Sequence, residues 1–291
     1  MGLFLSQEQM WDRPLGGNAP GKQVPHWFGN GAYFLVAFLF KIAFRYSVKN
    51  RASLRALNGE TGAVIVCNHT SYLDVCMIYL AARLKQWVRL MGRESLFKKA
   101  HGLLGQVLSR AGAFPVKRDS ADRLAIKRAT RDLKNGEYVG ILPEGTRRNK
   151  GNKVPSVHGG AALIARMANV PILPMTVRGI EKVKQKGQRI HFPKVTVVYG
   201  DPIVVDDFEF IDKEQRLDAI TWYAMRECFA LFYDIPADQV NMVELFPDGA
   251  DFTELFASHS IPHHASEELV AELRAKRNAK ANAAGEDESC A

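Results

Sequence analysis

The sequence predicts an α/β fold: a mainly parallel central sheet flanked by helices, preceded by an apolar, membrane-associating helix at the N-terminus. Three observations predict it. Between residue 62 and about residue 200, short runs rich in Val, Ile and Leu alternate with longer helical stretches, as in repeated strand–helix units. Two polar clusters directly follow two of these runs, at the strand ends where open α/β sheets gather their ligands. A chain of 291 residues with 47% apolar content can close a sizeable core around such a sheet.

Residues 1–25 are punctuated by Gly and Pro and read as irregular. Residues 27–46 read as an apolar, aromatic-rich helix, interrupted once by Lys41 and closed by Arg45, Lys49 and Arg51. Its unbroken apolar stretch is shorter than the ~20 residues that span a bilayer. Two readings fit: a helix lying in the interface of an anionic leaflet with Lys41 snorkelling, or one packed on the domain core. Phe34, Phe38 and Phe40, with Trp27 and Phe28 upstream, favour membrane contact. The alternating region reads as strand 63–67, helix 73–84, strand 87–91, helix 95–110 and strand 113–116. It continues with helix 120–135, strand 138–142, helix 160–168 and strands 172–177 and 195–199. Asp119 or Ser120 is a fitting N-cap for the helix at 120–135, and Gly136 its stop. Residues 213–233 form a further helix with Leu217, Ile220, Tyr223, Ala224 and Phe229 on its apolar side. Beyond Pro247 the chain turns polar, with an exposed helix at 267–281 and a disordered end at 285–291. The domain reading is an N-terminal segment 1–50, a main domain 51–247 and a polar C-terminal extension 248–291.

A net charge of +8 points to anionic partners: nucleic acid, an anionic membrane face or phosphorylated substrates. Nucleic acid is the weakest of these, because no recognition motif and no interleaving of aromatic with basic residues is present. The four cysteines show no C-x-x-C pair and no metal spacing with His, so no metal site is expected. Cys67 lies inside an apolar strand, which suggests a buried reduced thiol in a cytosolic setting. The N-terminus carries Glu8 and Asp12 and no basic region leading into an apolar core, so a cleaved signal peptide is not expected.

The first polar cluster is Asn68-His69-Thr70-Ser71-Tyr72-Leu73-Asp74. His69 ends a strand and Asp74 falls in the first turn of the next helix, where its carboxylate can fold back onto the imidazole. There it would fix the tautomer and stabilise the imidazolium formed on proton abstraction. The plainer reading is that Asp74 caps the helix and His69 bonds to backbone. Ser71 lacks the flanking glycines of a nucleophile elbow, and Cys67 is badly placed as a nucleophile. Direct attack by a bound alcohol fits these residues better than a covalent intermediate. The second cluster, Pro143-Glu144-Gly145-Thr146-Arg147, offers a glycine turn that lets a ligand approach backbone N–H groups. Arg147 can fork onto a phosphate and Glu144 can accept from hydroxyls. An ordinary strand-to-loop turn with solvated charges is the alternative. Between them, Gly112-Ala113-Phe114-Pro115-Val116-Lys117-Arg118 is a short strand ending in two cations, either solvated or a phosphate site.

In this order, the segments resemble the motifs of the glycerolipid (lysophospholipid) acyltransferases, the family that includes the 1-acylglycerol-3-phosphate O-acyltransferases. The first cluster is similar to the N-H-x-S-x-x-D signature, the segment from Gly112 to Arg118 to the second motif, and the Glu144 cluster to the third. Val170-Pro171-Ile172-Leu173-Pro174 resembles the fourth. The resemblance covers roughly residues 60–200. It implies that His69 is the general base and Asp74 its partner, with Arg118, Glu144, Gly145, Thr146 and Arg147 binding the acceptor. It further implies acyl-CoA or acyl-carrier protein as donor, a lysophospholipid acceptor, no cofactor, and a place at the cytoplasmic face of the cell membrane. Two positions depart from the pattern: Val157-His158-Gly159-Gly160 stands where Phe-Lys-x-Gly is frequent, and Arg148 where Ser is. The reading from another class is a non-catalytic membrane-surface protein that binds phosphorylated lipids, which would need the cations but not His69 and Asp74 together.

Overall fold

The computed structural model describes residues 5–16, 18, 22–82, 86–117, 122–145, 148, 155–183 and 189–289. The chain enters through α1 (Gln7–Trp11) and α2 (Trp27–Phe44), then β1 (Ser47–Lys49) and α3 (Arg51–Leu57). The alternating region follows as β2 (Ala63–Cys67), α4 (Leu73–Ala82), β3 (Val88–Arg93), α5 (Glu94–Phe97), α6 (Leu103–Arg110) and β4 (Ala113–Val116). It continues with α7 (Arg123–Lys134), β5 (Tyr138–Ile141), α8 (Gly160–Ala168), β6 (Ile172–Arg178) and β7 (Thr196–Tyr199). The chain closes with α9 (Lys213–Tyr233), α10 (Met242–Leu245), α11 (Thr253–Ser258) and α12 (Ser266–Ser289).

The strands form one seven-stranded sheet in the order β1-β7-β6-β2-β5-β3-β4. Every pairing is parallel except β6 with β7. All five residues of β2 are buried, as expected of a central strand covered on both faces. Successive residues feed opposite cores. Val64 and Val66 pack with α7, α8 and α9, whereas Ala63, Ile65 and Cys67 pack with α3 and α4.

Several elements differ from the sequence reading. The helix expected over 95–110 is broken into α5 and α6 at Ala100, His101 and Gly102, all with positive φ. The fold-back needs close contact: a Cβ on Gly105 would lie 2.3 Å from the Phe97 carbonyl oxygen. The caps expected at Asp119 or Ser120 lie outside the described residues. Asp122 caps α7 instead, accepting from Ala125 N–H at 3.1 Å. β1 is too short for any periodicity to reveal it. The segment beyond residue 247 does not stand off from the domain, since Phe252 and Phe256 enter one core and Leu269 and Val270 the other. Where the sequence suggests disorder from residue 285, α12 runs on to Ser289.

The N-terminal segment is fastened by buried charge. Arg89 Nε lies 2.6 Å from Glu137 Oε2 and 3.3 Å from Asp132 Oδ2. Glu137 Oε1 accepts from Leu15 N–H at 2.7 Å. Burial pushes the Asp132 carboxyl up to about 6, against the pull of Arg89.

Candidate active site

β2 delivers the first cluster to the carboxyl edge of the sheet. Asn68, immediately after the strand, is held by Thr176 of β6, whose hydroxyl donates to Asn68 Oδ1 at 2.7 Å. Thr176 is a support the sequence reading missed, because nothing short of the β2–β6 pairing places it there. His69 follows, 8% exposed, with Nδ1 3.2 Å from Asp74 Oδ2. Asp74 is 1% exposed and stands in the first turn of α4. The same Oδ2 accepts from the N–H groups of Thr70 and Ser71, each at 2.7 Å. One carboxylate thus holds both the turn that precedes α4 and the imidazole; the amides it binds lie upstream of the helix, so it braces that turn rather than capping α4. With Nδ1 facing Asp74, Nε2 is the ring nitrogen that can take a proton from a ligand.

The third-motif turn lies alongside. β2 and β5 are parallel neighbours with Val66 opposite Ile141, so the residues three positions further on, His69 and Glu144, meet beyond the strand ends. Glu144 Oε1 accepts from the His69 N–H at 2.8 Å, and Oε2 lies 2.6 Å from Arg148 Nε. The residue is 2% exposed. Glu144 was expected to face hydroxyls of the acceptor; its carboxylate is turned inward and occupied by the protein's own donors. Burial pushes it up to about 7, with Arg148 and the His69 amide pulling the other way. Gly145 takes φ +61°, and no atom lies within 4 Å of a Cβ built there. Its backbone conformation, rather than lack of space, calls for glycine. Arg118, Thr146 and Arg147 lie outside the described residues.

Burial raises the Cys67 thiol well above its ordinary range, so it is a poor nucleophile in the structure as well. Among the described residues no three His, Cys, Asp or Glu side chains converge as a metal site requires. A cleft of about 770 Å³ opens farther along the sheet, beside β4, between α1 and α7, and is lined by Trp11, Phe97, Lys98, Lys117, Leu124 and Arg128 among others. His69 is not in its wall: β5 and β3 separate β2 from β4.

The family model described as Acyltransferase matches residues 45–178, a stretch that contains all four motif-like segments. A 1-acyl-sn-glycerol-3-phosphate acyltransferase of Bacillus subtilis is 32% identical over 174 residues, covering 60% of this chain and 81% of that protein. A protein of the same name from Streptococcus pneumoniae is 30% identical over 158 residues, 54% of this chain and 56% of that one. The crystal structure of the 1-acyl-sn-glycerophosphate (LPA) acyltransferase from Thermotoga maritima aligns with a TM-score of 0.50, over 70% of this chain and 81% of that chain. At 21% identity that likeness speaks for the fold. The identity to the Bacillus protein, sustained over most of that protein's length, shows descent: this chain belongs to the acyltransferase family and is an acyltransferase of phospholipid biosynthesis.

Proposed function

We propose that the protein moves a fatty acyl group from an acyl thioester, acyl-CoA or acyl-carrier protein, to the free hydroxyl of a lysophospholipid. The acceptor favoured by the relatives' names is 1-acylglycerol 3-phosphate, and the product phosphatidic acid. The observation that carries the mechanism is the 3.2 Å approach of Asp74 Oδ2 to His69 Nδ1 at the carboxyl edge of the sheet. In this reading Nε2 takes the hydroxyl proton as the oxygen attacks the thioester carbonyl. The C–O bond forms, the tetrahedral intermediate collapses, the C–S bond breaks, and the imidazolium returns its proton to the departing sulfur. Asp74 stabilises the imidazolium in between. Arg118 and Arg147, with Thr146 and the Gly145 backbone, serve the acceptor phosphate by their place in the second and third motifs. Glu144, turned inward, holds His69 instead.

The same proposal places the protein on the cytoplasmic face of the cell membrane. No helix among the described residues is long and apolar enough to cross a bilayer. Yet α2 is apolar on both sides, and only one side is covered. Tyr33, Val36, Ala37, Phe40 and Phe44 pack on the domain, while Phe34, Leu35, Phe38, Leu39 and Ile42 are exposed in a stripe of helical spacing. A contiguous apolar stripe of this kind on a basic protein suits the interface of an anionic leaflet.

The test is acyl transfer to 1-acylglycerol 3-phosphate in vesicles, with both donor types and products read by mass spectrometry. Wild type should turn over, and His69→Ala should lose on the order of 10²–10⁴ in rate. Full activity in His69→Ala would refute the mechanism. Lipid binding without turnover on any acceptor would favour the non-catalytic reading.

A further inference from the structure

Arg148 stands where the resemblance leads one to expect serine, and its surroundings give it an unusual hold on the site. Its Nε lies 2.6 Å from Glu144 Oε2. The guanidinium packs in the corner of two rings that meet edge-on, with Cζ 4.6 Å from the Phe229 centroid and 4.5 Å from that of Phe246. Nη1 donates to the Leu245 carbonyl at 3.2 Å, and the Arg148 backbone N–H donates to the His69 carbonyl at 2.9 Å. Phe229 belongs to α9, and Leu245 and Phe246 to the end of α10, all beyond the stretch the family model matches. One residue therefore joins the end of β2, through its backbone N–H, to the turn after β5 and, through its side chain, to a segment whose place in the molecule could not be read from sequence.

We infer that Arg148 is a positioning residue for the base: clamped by Phe229, Phe246 and the Leu245 carbonyl, it fixes the Glu144 carboxylate that holds the backbone of His69. The C-terminal segment around α10 thereby sets the attitude of the imidazole. This rests on the reading of His69 as general base. A guanidinium packed against two aromatic rings is held far more rigidly than a solvated one, and lysine cannot keep both ring contacts while directing separate donors to Glu144 and the Leu245 carbonyl. Glu144 in turn is faced by Arg148 and the His69 amide, by the Asp74 carboxylate from α4, and by the thiols of Cys67 from β2 and Cys228 from α9. Of these only Arg148 brings a full positive charge. Removing it raises the Glu144 carboxyl further above its present value near 7, so the carboxylate that grips the His69 amide is protonated at neutral pH.

The experiment compares wild type with Arg148→Met, Arg148→Lys and Phe246→Leu in steady-state acyl transfer to 1-acylglycerol 3-phosphate across pH, with thermal melts alongside. Arg148→Met should lower kcat by roughly 10–100-fold, as a small misplacement of a catalytic group does, with KM for donor and acceptor nearly unchanged. Its acid limb should move to higher pH. Arg148→Lys should recover part of the rate, and Phe246→Leu should lose an intermediate amount. A raised KM for the phosphorylated acceptor at unchanged kcat would make Arg148 a substrate ligand and overturn the inference, as would unaltered kinetics in all three variants. Hydrogen exchange at the His69 amide decides independently of turnover. It should be at least about tenfold faster in Arg148→Met and Phe246→Leu than in wild type, and equal rates overturn the inference. A wild type without acyl transfer would defeat the proposed function alone, leaving the exchange rates to judge the clamp. Should Arg148→Met lose its native melt, Arg148→Lys and Phe246→Leu carry the same comparison.

Discussion

Oδ2 of Asp74 serves the amides of Thr70 and Ser71 as well as the His69 ring, which makes the choice of substitution decisive. In Asp74→Asn the side-chain oxygen can still accept both amides, so the turn should survive with a stability loss of about 1 kcal/mol or less. That same oxygen also faces Nδ1, so the ring keeps its orientation but loses the negative charge that stabilises the imidazolium formed on proton abstraction. The expected result is a fall in kcat of roughly 10²–10⁴ with a near-native melt, whereas Asp74→Ala should lose about 1–3 kcal/mol of stability as well. Glu144 gives a second residue-level outcome. Its folded value near 7 lies above the ordinary 4.5, so the buried group favours the native state below about pH 4.5, and that contribution is lost as pH rises through 7. Glu144→Gln does not titrate. Denaturant unfolding should therefore show the variant gaining on wild type by about 2 kcal/mol between pH 4.5 and 8, allowing for the coupling to Arg148. A gap that stayed constant with pH would mean that Glu144 is ionised throughout. The His69–Asp74 pair was legible because five residues bridging a strand end and a first helical turn leave little choice of geometry. The inward turn of Glu144 was not, because it follows from the β2–β5 register, which residue pattern does not carry.

Among elements, those read with the same bounds from the sequence, 63–67, 113–116, 160–168 and 213–233, are ones whose ends carry a local signal or an abrupt change of polarity. β1 exists only because β7 offers it an edge, and the break between α5 and α6 depends on glycines that allow the chain to touch itself. α2 shows the limit of periodicity from the other side. An apolar pattern all round a helix says that both faces avoid water, and only the packed structure says which face the protein itself covers. Phe34 and Phe38, 69% and 64% exposed, lie on the uncovered one. Each phenylalanine transferred into an acyl boundary contributes on the order of 2 kcal/mol. Phe34→Glu with Phe38→Glu should accordingly weaken partition into anionic vesicles by at least about tenfold while leaving the melt unchanged. Phe40→Glu, on the packed face, should unfold the protein instead. Undiminished vesicle binding by the double variant would remove α2 from the membrane contact.

At the scale of the molecule, the polar composition beyond residue 247 hides a structural role, because a few apolar residues in it are placed where the sheet's helices leave their cores open. The Phe256 ring stacks on Trp222 at 5.6 Å and meets Tyr223 edge-on at 5.0 Å. Leu269 and Val270 of α12 close the other core, and Glu60, after α3, pairs with Arg274 and Arg277 at 2.6 and 2.9 Å. Those ion pairs are largely solvated and count for little, whereas each buried apolar side chain contributes roughly 1.5–3 kcal/mol. Truncation after Gly249 removes Phe252, Phe256, Leu269 and Val270 together, a loss comparable to the ~5–15 kcal/mol that holds a typical domain, and should prevent stable folding. Truncation after Ala265 keeps both phenylalanines and the Arg148 clamp at Phe246, so it should lower the melting temperature yet leave kcat of the folded protein close to wild type. Truncation after Asn278 keeps every one of these contacts and should shift stability by no more than about 0.5 kcal/mol. Melting curves and turnover for the three lengths separate the outcomes. Equal stability for all three would mean that the two cores are complete without the extension, and a kcat that fell already at the Ala265 cut would tie α12, rather than α10, to the base.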